Sequence, residues 1–260
     1  MAIIDDLVAY WALTDAGSPP TTADDSHGSL DGTNMNITVG TSGGVNNGRY
    51  YSFNGTSSDV NMGTSSSLRF TTAVSVSVWF RSTSTASNMR MAGNNGYSSA
   101  WYGYYMGFSG GQVRWATHDN AGNNNEKYSG TGLANGQWHH AVGTFDSTNN
   151  RKRLYIDGVA YGGDTTWNYD IGYPASSRFH LGTTQGSGGW FNGDLNHVAV
   201  WSRELTSSEV SSIYNNGPTD ALVYPWGTSP GGEISGTVNG VANVSGTVNG
   251  VANVSGTVNG

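Results

Sequence analysis

WHHAV at 138–142, together with LYIDG at 154–158, decides the fold of this 260-residue chain. Both segments are rich in residues that favour β-strands, and Asp157-Gly158 is a strong signal for a hairpin turn. Farther along, FNG at 191–193 leads into another strand pattern, VAVW at 198–201. Strands that follow one another through short turns pair in antiparallel fashion. This order therefore predicts an all-β sandwich of two antiparallel sheets.

A single short helix is predicted to close the sandwich. Thr206 is its N-cap, and Glu209 completes a capping box in which each residue satisfies a backbone N–H of the other. Val210, Ile213 and Tyr214 then form one apolar stripe, which is the pattern of a helix packed against a core. We therefore predict a helix from Thr206 to Tyr214.

Apolar periodicity predicts further strands in the first half of the chain. LVAYW at 7–11 is a compact apolar run, and VSVSVW at 74–79 has the two-residue period of a strand with one buried and one less buried face. In WYGYYMGF at 101–108, Trp101 and Tyr105 point to one side and the other large residues to the opposite side. This strand is therefore expected to have two apolar faces.

These motifs, in this order, resemble the laminin-G-like jelly roll of the concanavalin A-like lectin and glucanase superfamily, in its bacterial and viral form. The resemblance extends from 7–11 to Gly217 and includes YSFNG at 51–55. It implies a two-sheet jelly-roll domain over residues 1–217. Members of this family mostly bind surfaces and glycans or serve as structural modules, so the resemblance implies a cell-surface glycan as a partner.

Composition excludes several classes of function. The chain contains no Cys, which excludes thiol catalysis and Cys-based zinc sites. Its formal net charge is −7, and its 11 Lys and Arg residues provide no basic stripe for a phosphate backbone. We therefore expect no nucleic-acid partner. No stretch reaches the ~18 apolar residues that span a bilayer, so we expect no membrane insertion.

Abundant Asn, Ser, Thr and Gly, with 12% aromatic residues, are typical of an exposed binding surface. The opening residues, MAIIDD at 1–6, have no basic region and do not resemble a secretory signal. Virion fibres and decoration proteins combine these features. We therefore predict a non-enzymatic virion surface protein of a tailed bacteriophage, a decoration or fibre component whose partners are other virion proteins. The alternatives are a cell-surface or secreted carbohydrate-binding adhesin and, third, a polysaccharide-active enzyme.

The character of the chain changes after Gly217. We expect a linker over 218–234, followed at 235–260 by copies of the ten-residue unit SGTVNGVANV. Its Asn-Gly pairs favour hairpins, but the resulting pairing mixes valine with polar residues on each face. Two interpretations remain: a flexible tail, or a shaft in which identical chains cover each other's valines in a homo-oligomer.

Catalytic motifs are sparse in this sequence. Glycoside hydrolysis needs two carboxyl groups on one face, and Glu209 is already used by the capping box. The Glu-x-Asp-x-x-Glu signature of the superfamily's glucanases is absent, which leaves Asp24 with Asp194 as a candidate pair. Neighbouring His139 and His140 point to opposite faces of a strand, so they are predicted to pack rather than share a metal ion. We therefore predict no enzymatic activity.

Calcium is the cofactor that the resemblance implies, because laminin-G-like domains often hold it at the rim through carboxylates, amide oxygens and carbonyls. The family's early acidic loop matches Asp24 and Asp25. Its late acidic stretch retains Asp194, whereas Asn196 and His197 replace two acids.

A second oxygen-rich loop, from Asp119 to Glu126, is another candidate calcium site, although it lacks the spacing of an EF-hand. The alternative for both loops is a polar turn in which Asn and Asp hydrogen-bond to their own backbone.

A glycan site needs an aromatic platform for the apolar face of a sugar and polar partners for its hydroxyls. Trp190 follows a Gly-rich loop, and Trp101 begins the most aromatic segment of the chain. The alternative is that these aromatic residues fill the sandwich or a subunit interface. The predicted ligand-binding residues are Trp190, Trp101, Tyr102, Tyr104, Asn94, Asn95 and Asn120.

Overall fold

The computed structural model describes residues 3–17, 19–97 and 101–216. Within these ranges, sixteen strands form two antiparallel sheets of eight strands each, and one α-helix follows the last strand. The predicted all-β sandwich with a short helix near its end is confirmed. No helix in these ranges is long and apolar enough to cross a membrane. The predicted linker at 218–234 and the repeats at 235–260 lie outside the described residues.

The strands divide between the two sheets in a jelly-roll-like order. The first sheet runs β14-β13-β12-β7-β16-β5-β4, with β1 also paired to β16, and the second runs β11-β10-β9-β8-β15-β6-β3-β2. The bounds in chain order are β1 (Leu7–Trp11), β2 (Thr22–Ala23), β3 (Gly32–Met35), β4 (Thr38–Gly40), β5 (Tyr50–Asn54), β6 (Asp59–Asn61), β7 (Ala73–Arg81), β8 (Met89–Tyr97), β9 (Trp101–Ser109), β10 (Gln112–His118), β11 (Asn124–Tyr128), β12 (His139–Asp146), β13 (Arg151–Ile156), β14 (Val159–Ala160), β15 (Phe179–Leu181), β16 (Asn192–Trp201) and α1 (Ser207–Asn216).

The main core lies between the sheets and follows the two-residue period of the strands. On β7, Val74, Val76 and Val78 are fully buried in it. Tyr104 on β9 and Trp115 on β10 belong to the same cluster, from the second sheet. Because side chains alternate along a strand, the residues between these positions point to the outer faces of the sheets.

The outer face of the first sheet is covered by a second apolar cluster. Tyr10, Tyr155 and Trp201 pack there with Val210 and Ile213, which belong to the apolar stripe of α1. The predicted stripe therefore does contact a core, and that core lies outside the sandwich proper.

The second apolar cluster also buries the serines on β7. These serines lie on the face of the strand that was expected to be less buried. Ser75 is fully buried, and its hydroxyl donates to the carbonyl of Arg203 at 2.7 Å and accepts from the N–H of Leu205 at 2.9 Å. Ser77 is also fully buried. A serine hydroxyl that is hydrogen-bonded in this way can be buried at little cost.

The two neighbouring histidines lie on opposite faces of β12, as predicted, and both are packing residues. His140 is fully buried, with its Nε2 at 2.8 Å from the Ser77 hydroxyl and its ring stacked on Trp79. His139 instead contacts Asp157, with its Nδ1 at 2.9 Å from that carboxylate. Asp157 and Gly158 form the predicted hairpin turn, and both have the positive φ, 50° and 78°, that such a turn requires.

The predicted capping box forms at the beginning of α1. The N–H of Glu209 donates to the Thr206 hydroxyl at 3.3 Å, and the N–H of Thr206 donates to the Glu209 carboxylate at 2.7 Å. Arg203 also pairs with that carboxylate at 2.7 Å. The cap therefore joins the helix to the end of β16.

We expect Thr206→Ala to lower the free energy of unfolding by about 1 kcal/mol, because it removes the hydroxyl that accepts from the helix N-terminus. Thr206→Ser is the matched control, since it keeps that hydroxyl, and it should retain most of the stability. Urea denaturation of the three proteins measures the difference. Equal losses in the two variants would contradict a capping role for the hydroxyl.

Acid should destabilise the fold through two buried histidines. Burial lowers the pKa of His140 to about 3 and that of His197 to about 3, whereas an unfolded histidine titrates near 6.5. The unfolded chain therefore binds more protons below pH 6.5, and stability is lost as the pH falls from there towards 3.

The free energy of unfolding should be lower at pH 5 than at pH 7, by roughly 2 kcal/mol for each of these histidines. Urea denaturation at the two pH values measures this loss. His140→Gln should reduce the pH dependence, whatever its effect on stability at pH 7. A pH dependence that the variant leaves unchanged would show that His140 does not contribute.

Candidate functional site

A cleft of about 570 Å³ opens on the outer face of the second sheet. Strands β8 to β11 contribute its floor, and the segment after β15 contributes one wall. This volume lies within the range of small-molecule sites in proteins. The cleft is lined by Asn88, Arg90, Trp101, Tyr105, Arg114, His118, Asn124, Glu126, Thr184, Gln185, Ser187, Gly188 and Gly189.

Tyr105 occupies the centre of the floor, between two arginines. The guanidinium carbon of Arg90 lies 3.9 Å from the centre of the Tyr105 ring, and that of Arg114 lies 5.0 Å from it. Both distances are within the range of cation–π attraction. Burial raises the pKa of Tyr105 well above its ordinary value, so the phenol stays protonated and can donate.

Glu126 anchors this arrangement from the edge strand β11. Its carboxylate accepts from the hydroxyl of Tyr105 at 3.1 Å and from that of Tyr128 at 2.5 Å, and it pairs with Arg114 at 3.5 Å. Burial disfavours its charge, but the hydrogen bond from Tyr128 and the charge of Arg114 together hold the pKa of Glu126 below its usual value. The carboxylate is therefore ionised at neutral pH.

His118, at the end of β10, adds a neutral imidazole to the floor. Its ring stacks on Tyr105, with the centroids 5.9 Å apart, and is tilted against Trp101 at 6.5 Å. Burial and the nearby charge of Lys152 lower the pKa of His118 to about 4. At neutral pH the ring therefore offers one N–H donor and one acceptor nitrogen.

Five nitrogens of the cleft residues have no hydrogen-bond partner in the described protein. They are Nε of Arg90, Nε and Nη2 of Arg114, and both ring nitrogens of His118. These residues are 5%, 7% and 2% exposed, respectively. Buried polar atoms in native proteins nearly always have a partner, either a protein group or an ordered water, so the floor beneath the cleft is strongly polar.

Trp101, one of the predicted ligand-binding residues, lines the cleft and is its most exposed aromatic residue. Its side chain is 39% exposed, and the guanidinium carbon of Arg90 lies 5.7 Å from its ring. A ligand beside this partly exposed indole would therefore meet the apolar face of the indole and, in the same cleft, a floor of polar groups.

Several other predicted ligand-binding residues lie elsewhere, and for these the prediction is corrected. Tyr104 is fully buried in the core, where its hydroxyl donates to the carbonyl of Leu68 at 3.1 Å. The amide of Asn94 donates to the same carbonyl at 3.0 Å, and Asn95 is equally buried. The carbonyl of Leu68 thus binds the polar groups of Tyr104 and Asn94 that were expected to reach a sugar.

The remaining predicted residues are near the cleft but do not line it. Tyr102 is buried, Trp190 is half-buried directly after the wall residue Gly189, and Asn120 is exposed in the turn after β10. The structure therefore brings Trp101 and Glu126 together and leaves these three outside the lining.

The two arginines were missed, although the sequence carries a signal for them. Arg90 is flanked by methionines in MRM at 89–91, and Arg114 stands between apolar residues in VRW at 113–115. A charged residue between two core residues of a strand must point to the opposite face of the sheet.

Asp25, one of the acidic residues that were predicted to hold calcium, has other partners. Asp25 accepts from the backbone N–H groups of Tyr10, His27 and Leu30 at 2.9–3.0 Å. These donors take up the lone pairs that a calcium ion needs. Asp24, its neighbour, is exposed.

The other candidate calcium ligands are engaged in the same way. Asp119 accepts from the N–H groups of Ala121 and Asn123 at 2.8 and 2.9 Å, which is the polar turn of the alternative interpretation. Asp194 pairs with Arg81 at 2.8 Å. Across the described residues, no three His, Asp or Glu side chains are grouped as a metal site requires. The residues present do not fit a carboxylate-rich calcium site.

We expect chelation with EDTA to leave the melting temperature unchanged, because nitrogen donors already satisfy Asp25 and Asp119. A ligand that binds only the native state would raise the melting temperature, and removing it would lower that temperature. Differential scanning calorimetry with EDTA, then with added CaCl₂, measures the effect. A fall that CaCl₂ reverses and Asp25→Asn abolishes would restore the predicted calcium site.

Known structures resemble this fold at low sequence identity. The binding domain of botulinum neurotoxin serotype G matches 85% of this chain with 14% identity and a TM-score of 0.62, and this chain spans 54% of that domain. The binding domain of Paraclostridial Mosquitocidal Protein 1 matches 87% with 16% identity and a TM-score of 0.53, and 56% of it is covered. The chain thus spans about half the length of these two domains.

This chain covers almost the whole length of a third similar structure. It is domain 4 of a GH43 extracellular arabinanase from Geobacillus stearothermophilus, in complex with arabinotriose, with 18% identity and a TM-score of 0.58 over 81% of this chain and 98% of that one. At such identities the likeness shows the fold alone. No curated protein matches the sequence.

A family model matches more than half of the chain, from residue 53 to residue 211. This range includes most strands of both sheets, all the residues that line the cleft and the beginning of α1. The fold and the family model agree, and the resemblance to the superfamily seen in the sequence is confirmed, whereas its bacterial and viral form stays a prediction. The chain belongs to the concanavalin A-like lectin/glucanases superfamily.

Proposed function

We propose that this domain is a non-enzymatic carbohydrate-binding module whose ligand enters the cleft beside Trp101. The observation that supports this most directly is the pairing of a partly exposed indole with a polar floor of two arginines, one histidine and one glutamate in one cleft. A sugar ring has an apolar C–H face and a rim of hydroxyls, so it complements both parts.

The polar floor suits hydroxyl groups in particular. A hydroxyl both donates and accepts, and the floor offers donors on the arginines, either role on neutral His118 and an acceptor in Glu126. The Glu126 carboxylate is already oriented by two tyrosine hydroxyls, so it needs no rearrangement to accept from a ligand. Preorganised polar groups beside an aromatic platform are typical of specific binding sites.

Binding is favoured over hydrolysis by the number of carboxylates. Hydrolysis of a glycosidic bond needs two, roughly 5 to 9.5 Å apart. Glu126 is the one carboxylate among the described residues that line the cleft. The alternative pair is weakened as well, since Asp194 is held by Arg81. The similar arabinanase domain, whose structure contains arabinotriose, supports a binding role by analogy.

We also propose that the module is displayed on the surface of a bacteriophage particle, as a decoration or fibre component. The support is the composition, which is rich in Asn, Ser, Thr and Gly. Many copies on one particle would convert weak glycan contacts into firm attachment. A cell-surface adhesin is the alternative. Density-gradient fractionation of an infected culture separates the two, because the protein would band with particles in the first case and with cell envelopes in the second.

Trp101→Ala should lower the affinity for a bound oligosaccharide by about tenfold or more, because the apolar contact area is lost. An array of neutral and acidic oligosaccharides that includes arabinotriose identifies a ligand, and isothermal titration calorimetry measures its affinity. Tyr169→Ala is the control, since Tyr169 is an exposed aromatic residue outside the cleft lining.

The control should bind as the native protein does. Equal affinity of the Trp101 variant and the native protein would place the ligand elsewhere. An array without any bound glycan would refute the carbohydrate-binding function itself.

A further inference from the structure

Arg90 is a buried positive charge without an acidic partner among the described residues. Its side chain is almost fully buried, and its one side-chain hydrogen bond runs from Nη1 to the backbone carbonyl of Asn88 at 3.0 Å. The ion pairs of the described chain involve other arginines. A buried guanidinium normally pairs with a carboxylate, because its desolvation is otherwise uncompensated.

Neighbouring groups compensate this charge only in part. The ring of Tyr105 provides cation–π attraction, whereas the one carboxylate among the described lining residues, Glu126, is already shared by Arg114 and two tyrosines. Burial lowers the pKa of Arg90 from its usual value, and the charge of Arg114 lowers it further. A guanidinium nevertheless stays protonated near neutral pH.

The cleft as a whole therefore carries an excess of one positive charge. Arg90 and Arg114 contribute two, Glu126 removes one, and His118 is neutral at pH 7 because its pKa is about 4. The full chain has the opposite balance, with a formal net charge of −7. A local excess of positive charge in an acidic protein favours an anion at that place.

The backbone holds Arg90 in this position. Its backbone N–H donates to the carbonyl of Gly189 at 2.8 Å. This hydrogen bond links the wall of the cleft to β8. Gly189 has φ = +61°, and a Cβ there would lie 3.0 Å from Cγ of Arg90. The wall therefore packs directly on the arginine stem, and glycine is the residue that permits this approach.

We propose that the cleft binds an acidic saccharide, with a sugar ring against Trp101 and its carboxylate at Arg90. This inference rests on the carbohydrate-binding function proposed above and specifies the class of ligand. A carboxylate accepts a charge-assisted hydrogen bond from a guanidinium and supplies the missing negative charge. The hydroxyls of the same sugar then meet His118 and Glu126.

The test uses the full chain and pairs of glycans that differ only in charge. Tetragalacturonate, a hyaluronan tetrasaccharide and 3′-sialyllactose are each arrayed beside their methyl esters, together with neutral oligosaccharides. We expect the bound glycans to be acids, and esterification should weaken their binding by about tenfold or more, since it removes a charge-assisted hydrogen bond.

Arg90→Gln should cause a similar loss for the acid and little loss for its ester. Arg153→Gln is the matched control, because it removes the same charge from the first sheet, where Arg153 pairs with Asp164. Arg90→Lys keeps the charge without the planar fork and should give an intermediate affinity. Thermal melts verify that each variant is folded, and removal of an uncompensated buried charge should not lower the melting temperature of Arg90→Gln.

The outcomes separate this inference from the function on which it rests. Binding confined to neutral glycans, or equal binding of acids and esters, would overturn the acidic ligand while the carbohydrate-binding function stands. Equal effects of the Arg90 and Arg153 substitutions would also overturn it, because the attraction would then be a general effect of net charge. A protein that binds no glycan of either kind would refute both proposals.

Discussion

The contact between Trp115 and Gly143 is the constraint on which the arrangement of this sandwich depends. Trp115 is fully buried between the sheets, and its indole N–H donates to the carbonyl of Thr144 on the opposite sheet at 3.0 Å. A Cβ at Gly143 would lie 2.3 Å from the indole ring, so only glycine lets the sheets approach here. This contact fixes which face of β10 is inside, and therefore which face carries Arg114 and His118.

The cleft therefore lies on the outer face of the second sheet, and the inner face of the same strands packs in the core. Methionines on either side of Arg90 enter the sandwich, as do Val113 and Trp115 on either side of Arg114, and each arginine is turned outward by the same alternation. On the outer face of the first sheet, α1 and the second apolar cluster cover the surface around Tyr155 and Trp201. A second cleft of about 580 Å³ lies beside them and is lined by residues that include Arg151, Arg153 and Glu204. The helix therefore covers part of one face of the domain, whereas the other face carries the cleft with Trp101 and the two arginines.

Much of the fold could be predicted from the sequence because its signals are local. The Asp157-Gly158 turn depends on two adjacent residues, and the cap of α1 depends on residues three apart. The opposite orientations of Trp101 and Tyr104 also follow from the strand period alone. What periodicity does not reveal is which side of a strand a distant segment covers. Tyr104 and Asn94 were expected at a binding surface, and it is the carbonyl of Leu68, far away in the chain, that holds them in the interior.

The site was harder to predict than the fold for the same reason. Aromatic residues and amides were given weight as sugar ligands, whereas the arginines needed knowledge of how β8, β9 and β10 lie side by side. The acidic loops were assigned to calcium because their composition fits it, yet composition does not show that backbone N–H groups of the loop itself satisfy Asp25 and Asp119.

The sandwiched position of Tyr105 has a consequence for selectivity. Its ring is held between two guanidinium groups, and its hydroxyl is held by Glu126, so the floor of the cleft has few alternative rotamers. A floor of this kind loses little side-chain entropy when a ligand arrives, but it also cannot repack around a ligand of another shape. Discrimination between similar glycans would then come from steric rejection rather than from adaptation. If the proposed glycan binds in the cleft, the domain should recognise a narrow set of related epitopes and tolerate few substitutions on the ligand above this floor.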